Sequence, residues 1–263
     1  MKKILYLALV LLAPMPGLRA AFEPIVVLFD RPIKMPARLR MNEVTAAQAI
    51  VLVEVDAKGK LTDWLLLGAS HRELIPLCAK SVPTWYFRPA RSNGQPVLAQ
   101  TRVTVNITDD HSKNQFSLMS PQAVAPVPVG NGLSGPVPGP PMTYDHRIEL
   151  PGTGSSTGWN GRRFDYQVCP QAGLDHPPVA IKTVVPPYVT EAGKKGTGGR
   201  IVVHFFIDEQ GSVRMPSVPD ASQPELAALA IKAMKEWKFE PPTSHGQPVL
   251  VEVEQEFAFG GGQ

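Results

Sequence analysis

Displaced by 152 positions, one stretch of this 263-residue chain lies over another without a gap. Trp85 falls on Trp237, Phe87 on Phe239, Pro89 on Pro241, and the run Gly94 to Leu98 on Gly246 to Leu250. The same displacement carries Val51 to Val203, Asp56 to Asp208, Gly59 to Gly211, Glu73-Leu74 to Glu225-Leu226, Leu77 to Leu229 and Lys80 to Lys232. It gives 18 identities in the 58 positions from Ile50 to Ile107. Similarity at one fixed period marks a unit used more than once. The fold must therefore be one that about 80 residues can form, and form twice.

Each copy opens with a strand. Val51, Val53 and Val55 in the first and Val203, Phe205 and Ile207 in the second recur at every other position, the period of a pleated strand with one buried face. Asp56 to Gly59 and Asp208 to Gly211 follow, and each supplies an Asx-type turn and a glycine that tolerates positive φ, so a hairpin is predicted. Ser70 to Glu73 and Ser222 to Glu225 then have the spacing of a capping box at a helix start. The second helix carries Leu226, Leu229, Ala230, Ala233 and Trp237 on one stripe. The first carries Leu74, Leu77, Cys78, Ser81 and Trp85, with Pro83 placed to end or kink it. A last strand closes each copy. Val249, Val251, Val253, Phe257 and Phe259 share a face interrupted by Gln255, while Glu252, Glu254 and Glu256 share a face predicted to be wet and acidic. Val97, Ala99, Val103, Val105 and Ile107 are their counterparts in the first copy.

The predicted class is α+β: two modules, each a three-stranded antiparallel sheet with one packed helix. Trp85, Phe87, Trp237 and Phe239 are expected in their cores, since each aromatic buries ~150 to 250 Å². Pro121 to Met142 holds seven prolines and four glycines in 22 positions with almost no charge, which suits an extended spacer rather than a packed element. The organisation read from the sequence is residues 1–20 as a signal peptide, 22–108 and 174–260 as the two modules, and 109–173 as a Pro/Gly-rich linker.

The first 20 residues have the three parts of a secretory signal: Lys2 and Lys3, an apolar run from Ile4 to Ala13, and small residues at Ala20 and Ala21. The run is short of the ~20 apolar residues that cross a bilayer, and no other stretch comes close, so no transmembrane helix is expected. Removing this segment takes Lys2, Lys3 and Arg19 and no acid, which brings the formal charge from +3 to 0. A mature protein without a cationic excess is a poor ligand for nucleic acid.

Pro187-Tyr188, Gly199, the strand through Ile207, Asp208 to Gly211, Ser222 to Leu226, Trp237-Lys-Phe-Glu-Pro241, Gly246-Gln-Pro-Val249 and the final alternating strand together resemble the TonB carboxy-terminal domain family. The resemblance runs from Pro186 to Phe259, and the first copy resembles the same family more distantly, without the Pro-Tyr opening and with Pro83. It implies a non-enzymatic module in the periplasm of a Gram-negative envelope, without a cofactor. It also implies binding of a protein segment, such as part of a TonB-dependent outer-membrane receptor, by addition of a strand to the edge of the last strand. Carried over, that edge is Val249, Val251, Val253, Gln255 and Phe257. Transducers of the family keep an uncleaved membrane helix and place their spacer before a single domain. Here a cleavable signal comes first and the spacer lies between two domains, which favours a periplasmic relative that keeps the binding fold without the motor. The alternatives are an energy transducer for receptor-mediated uptake, for example of iron chelates, and an envelope scaffold associated with peptidoglycan; self-association through the same edge is a further use of it.

Cys78 and Cys169 are the two cysteines, and export favours a disulfide between them, although Cys78 also replaces the core residue Ala230 and reads equally as a buried thiol. His71, His111, His146, His176, His204 and His245 show no paired ligand spacing, so no metal is expected. Gly193 to Gly199 lacks the order of a phosphate loop and leads into a strand. Ser155 and Ser156 sit in low-complexity sequence with no nucleophile elbow.

Mass spectrometry of the exported protein should find a chain that begins at Ala21; an intact Met1 in the inner-membrane fraction would restore the transducer reading.

Overall fold

A computed structural model describes residues 22–29, 33–108, 115–118, 122–123, 164–186, 199–219 and 223–259. The signal segment, nearly all of the Pro/Gly-rich stretch, Pro187-Tyr188, the glycines from Gly193 to Gly198, and Ser222 lie outside the described residues. In chain order the main elements are β1 (Ala46–Val55), β2 (Leu61–Ala69), α1 (Leu74–Ser81) and β3 (Ala99–Thr108). They are followed by β4 (Gly199–Ile207), β5 (Val213–Ser217), α2 (Pro224–Met234) and β6 (Val251–Phe259).

The turns after β1 and β4 are built alike. Asp56 accepts hydrogen bonds on Oδ1 from the backbone N–H groups of Lys58 (2.8 Å) and Lys60 (2.9 Å). Asp208 does the same for Gln210 (3.1 Å) and Ser212 (2.7 Å). Gly59 and Gly211 complete the turns at φ 82° and 74°, a region in which a side chain is strained. Two antiparallel sheets result, ordered β3-β1-β2 and β6-β4-β5 at their centres. Their registers correspond: Val51 lies opposite Val103 and Val203 opposite Gln255, and Ala47 opposite Ile107 as Gly199 is opposite Phe259.

One face of each sheet carries a helix and a core. Val51, Val53, Val55, Val103, Val105 and Ile107 meet Leu74, Cys78, Trp85 and Phe87 in the first. Val203, Phe205, Ile207, Val251, Val253 and Phe257 meet Ala230, Met234, Trp237 and Phe239 in the second. The helices depart from the sequence reading in three ways. Ser70 caps nothing: its Oγ accepts the backbone N–H of Gln48 at 2.9 Å, and α1 starts only after Glu73. Gln223 precedes α2 without a side-chain cap, with Pro224 in the first turn, where a missing donor costs nothing. The buried stripe of α2 is Ala227, Ala230, Ile231 and Met234, turned by about one position from the stripe in the sequence, so Leu226 and Leu229 lie at its margin. Pro83 acts as expected: α1 stops at Ser81 and a single 3-10 turn spans Val82–Thr84.

The opposite faces were expected to meet water and instead meet each other. Leu52, Leu65 and Leu67 of the first sheet form one buried cluster with Phe206, Met215 and Leu250 of the second. Met215 enters it from a bulge, at φ 49°. Charge pairs flank the cluster. Arg214 donates from Nε to Oδ2 of Asp63 at 3.0 Å and from a terminal nitrogen to Oδ1, and Arg102 donates to both carboxylate oxygens of Glu252 at 3.0 and 3.2 Å. The order through the molecule is helix, sheet, sheet, helix.

Both ends of the stretch expected to be an irregular connector are paired. Gln115–Leu118 and Gln122–Ala123 add to the outer edge of β3. Tyr166–Gln167 adds to β2, and Cys169 bridges in parallel to Val251 of β6. The disulfide is not formed: Cys78 is a free thiol in the first core and Cys169 a free, half-buried thiol at the edge of the second sheet. Burial pushes the Cys78 thiol up to about 11.

A Cβ on Gly211 would be driven into the carbonyl oxygen of Phe239, and one on Gly59 would come within 2.5 Å of that of Phe87, whereas nothing lies within 4 Å at Gly94 and Gly246. All four glycines have positive φ. Gly94→Ala and Gly246→Ala should each cost about 1 kcal/mol from backbone strain alone. Gly59→Ala and Gly211→Ala should cost clearly more in urea unfolding, and equal losses at all four would contradict these turn contacts.

Candidate functional site

Strand β6 is the last in its sheet and pairs along its whole length with β4, from Val251 opposite Ile207 to Phe259 opposite Gly199. Successive residues of a strand aim their backbone groups to opposite sides. The outward set is fixed by two contacts. Cys169 N–H donates to the carbonyl of Leu250 at 2.8 Å, and the Gln171 side-chain amide donates to the carbonyl of Glu252 at 3.0 Å. Glu252, Glu256 and Ala258 therefore turn backbone groups outward, while Val251, Val253, Gln255 and Phe257 bond to β4.

This parity reassigns the edge read from the sequence. Val249 precedes the strand and donates its N–H to the carbonyl of Pro242 at 2.9 Å. Val251, Val253 and Phe257 are buried in the second core, where they hold the strand in place. The even-numbered residues, which the sequence marked only as acidic, supply the outward groups. Past Gln171, no strand of the described residues runs along this side of β6. The corresponding side of β3 is covered by Gln115–Leu118 and Gln122–Ala123.

The segment from Cys169 to Asp175 pins the start of the edge. Ser244 Oγ donates to the carbonyl of Gly173 at 2.6 Å. Asp175 accepts the backbone N–H groups of His245 (2.7 Å) and Gly246 (2.9 Å), and the bond from Gly246 is the main reason that its carboxyl lies below the usual range. No motif marks this segment in the sequence. The aromatic residues support the strand from beneath, as expected of core positions. Trp237 donates from Nε1 to the carbonyl of Val184 at 2.8 Å, and its ring meets Phe257 edge-on with centroids 5.7 Å apart.

Gln255 is the exception on that face. It is 1% exposed, its amide donates to the carbonyl of Glu256 at 2.7 Å, and its buried Oε1 has no partner among the described residues. An unsatisfied buried oxygen costs about 1 to 3 kcal/mol.

The other face of β6 is not wet at its start. The Glu252 side chain is 18% exposed against the first sheet, and burial pushes its carboxyl above the usual range while Arg102 pulls the other way. His204, 3.8 Å from Glu254, is held below the ordinary imidazole value by burial and then by Arg102. Farther along, Glu256 pairs at 3.3 Å with the exposed Arg200. Among the described residues no group of His, Cys, Asp and Glu is placed to hold a metal ion, and no helix is long and apolar enough to cross a membrane.

The family described as Gram-negative bacterial TonB protein C-terminal matches residues 184–260, which contain β4, β5, α2 and β6. That family is a non-catalytic protein-interaction and energy-transduction domain of the Gram-negative periplasm, and its domains interact with outer-membrane receptors. The match covers one of the two sheets and does not extend to the first. Comparison with curated proteins gives no match.

The raised carboxyl of Glu252 sets a sign for pH dependence. The folded protein holds this proton more tightly than the unfolded chain. The penalty for burying the carboxylate is therefore absent below the ordinary carboxylate range, and it grows as pH rises through that range to the higher folded value. Arg102→Met removes the compensating cation and should cost about 3 to 5 kcal/mol at neutral pH and much less at pH 4. Equal losses in urea unfolding at the two pH values would show that Glu252 is not buried against Arg102.

Proposed function

We propose that the chain is a periplasmic protein-binding protein that captures an extended segment of an envelope partner on the outer edge of β6. Strand addition needs a row of unpaired backbone donors and acceptors on a rigid strand, and such rows are usually shielded. One observation carries the reading. The two sheets share order and register, yet the outer side of β3 is covered by the chain's own strands, whereas past Gln171 no described strand covers that of β6. Support also comes from the family match, which contains β6 and belongs to a domain that interacts with outer-membrane receptors. On this reading the two halves are copies of one module, and the first is closed and serves as a platform. Its sheet backs the second, and the segment 164–175 fixes the near end of the edge. The partner's backbone would be held by Glu256 and Ala258.

A photo-crosslinking residue at position 258 should capture a partner in intact cells. Glu256→Pro removes an outward N–H, a change that edge strands tolerate, and should lower the yield about tenfold. Glu256→Gln removes only the charge and should leave the yield nearly unchanged. Equal losses from both would indicate recognition by charge, and capture unaffected by either would place binding elsewhere.

A further inference from the structure

Gln255 occupies the register position that Val103 holds in the first sheet, each opposite a core valine of the central strand, Val203 and Val51. Valine at this place satisfies the fold. Gln255 instead leaves a buried oxygen without a donor among the described residues, on the strand face that it shares with the core residues Val253 and Phe257.

The other end of the carboxamide shows where the group lies. Its N–H donates to the carbonyl of Glu256, an outward-facing group, so it takes the place that a neighbouring strand's N–H would take. An arriving strand competes for that carbonyl and frees the amide. Gln255 bonds inward to β4, so on its outer side it stands at a non-hydrogen-bonded position, where opposed Cα atoms come within about 4.5 Å and side chains meet directly. The first sheet shows the matching arrangement with an apolar residue. Gln115–Leu118 runs antiparallel to β3 and sets Leu118 opposite Val103.

We propose that Gln255 selects the occupant of this edge: a peptide strand antiparallel to β6 that carries a hydrogen-bond donor side chain (Gln, Asn, Ser or Thr) at the position facing it. The inference rests on the edge reading above and adds the chemistry of the partner. A leucine facing Gln255 is disfavoured relative to such a donor, because it leaves the buried oxygen unsatisfied and the displaced amide without an acceptor.

The chain supplies its own probe. A copy of Asn114 to Leu118 fused directly after Gln263 leaves residues 260–263 as a four-residue hairpin loop and sets the copied Ser117 opposite Glu256 and the copied Leu118 opposite Gln255. A second version carries Leu118→Gln in the copy only. Both are made in the native chain and in Gln255→Val, and hydrogen exchange of the Glu256 and Ala258 amides is compared with that of the unfused chain. Both strands should slow these amides. In the native chain the Gln-bearing copy should protect them about tenfold more than the Leu-bearing copy, and in Gln255→Val the order should reverse. The same order in both backgrounds overturns the role of Gln255 and leaves the edge reading standing. Failure of every fused strand to slow the amides overturns the edge reading and this inference with it.

Discussion

Two sheets that each carry a helix on one face still have a second face to cover, and here they cover it with each other. Leu52, Leu65 and Leu67 against Phe206, Met215 and Leu250 remove an apolar patch from water. The contact between Asp63 and Arg214 adds direction to it: Arg214 is held above its usual value first by its hydrogen bond to Asp63. An apolar patch alone permits several angles between sheets, whereas a forked guanidinium on a carboxylate permits few. The contact ties β2 of the first sheet to β5 of the second.

Both second faces are occupied and the first faces lie under helices, which leaves the edges of the sheets. That of β3 is covered by the chain's own strands, and that of β2 is partly covered by Tyr166–Gln167. The near end of β6 is held by Cys169 and Gln171. A protein that binds by strand addition risks pairing with copies of itself, and short covered edges limit that risk. On the part of β6 that remains, the carboxamide of Gln255 is bonded to the Glu256 carbonyl.

Much of this was legible in the sequence, and the rest was not for identifiable reasons. The alternation of Val51, Val53 and Val55, the Asp-x-x-Gly turns and the effect of Pro83 are local, and local rules read them correctly. Ser70 had the spacing of a cap, but a long-range bond to Gln48 claimed its hydroxyl. Glu252, Glu254 and Glu256 read as a solvent face because period two says which residues share a side and not what covers that side; Arg102, 150 positions from Glu252, decides it. The sequence does not show which residues of the last strand turn their backbone groups outward, since that direction depends on which neighbour takes the first hydrogen bond, and the segment at Cys169 fixes it. Val103 and Gln255 are aligned by the repeat, so their difference was visible; that one edge is covered by strands of the chain and that the Gln255 side chain is buried was not.

The packing of the sheets through their second faces is tested most directly by a double-mutant cycle on Asp63 and Arg214. If the faces meet, Asp63→Ala and Arg214→Ala will be non-additive in unfolding free energy, with a coupling of about 1 kcal/mol or more. Additive losses would mean that these residues do not touch, and that the second faces, rather than the edge of β6, are open to a partner.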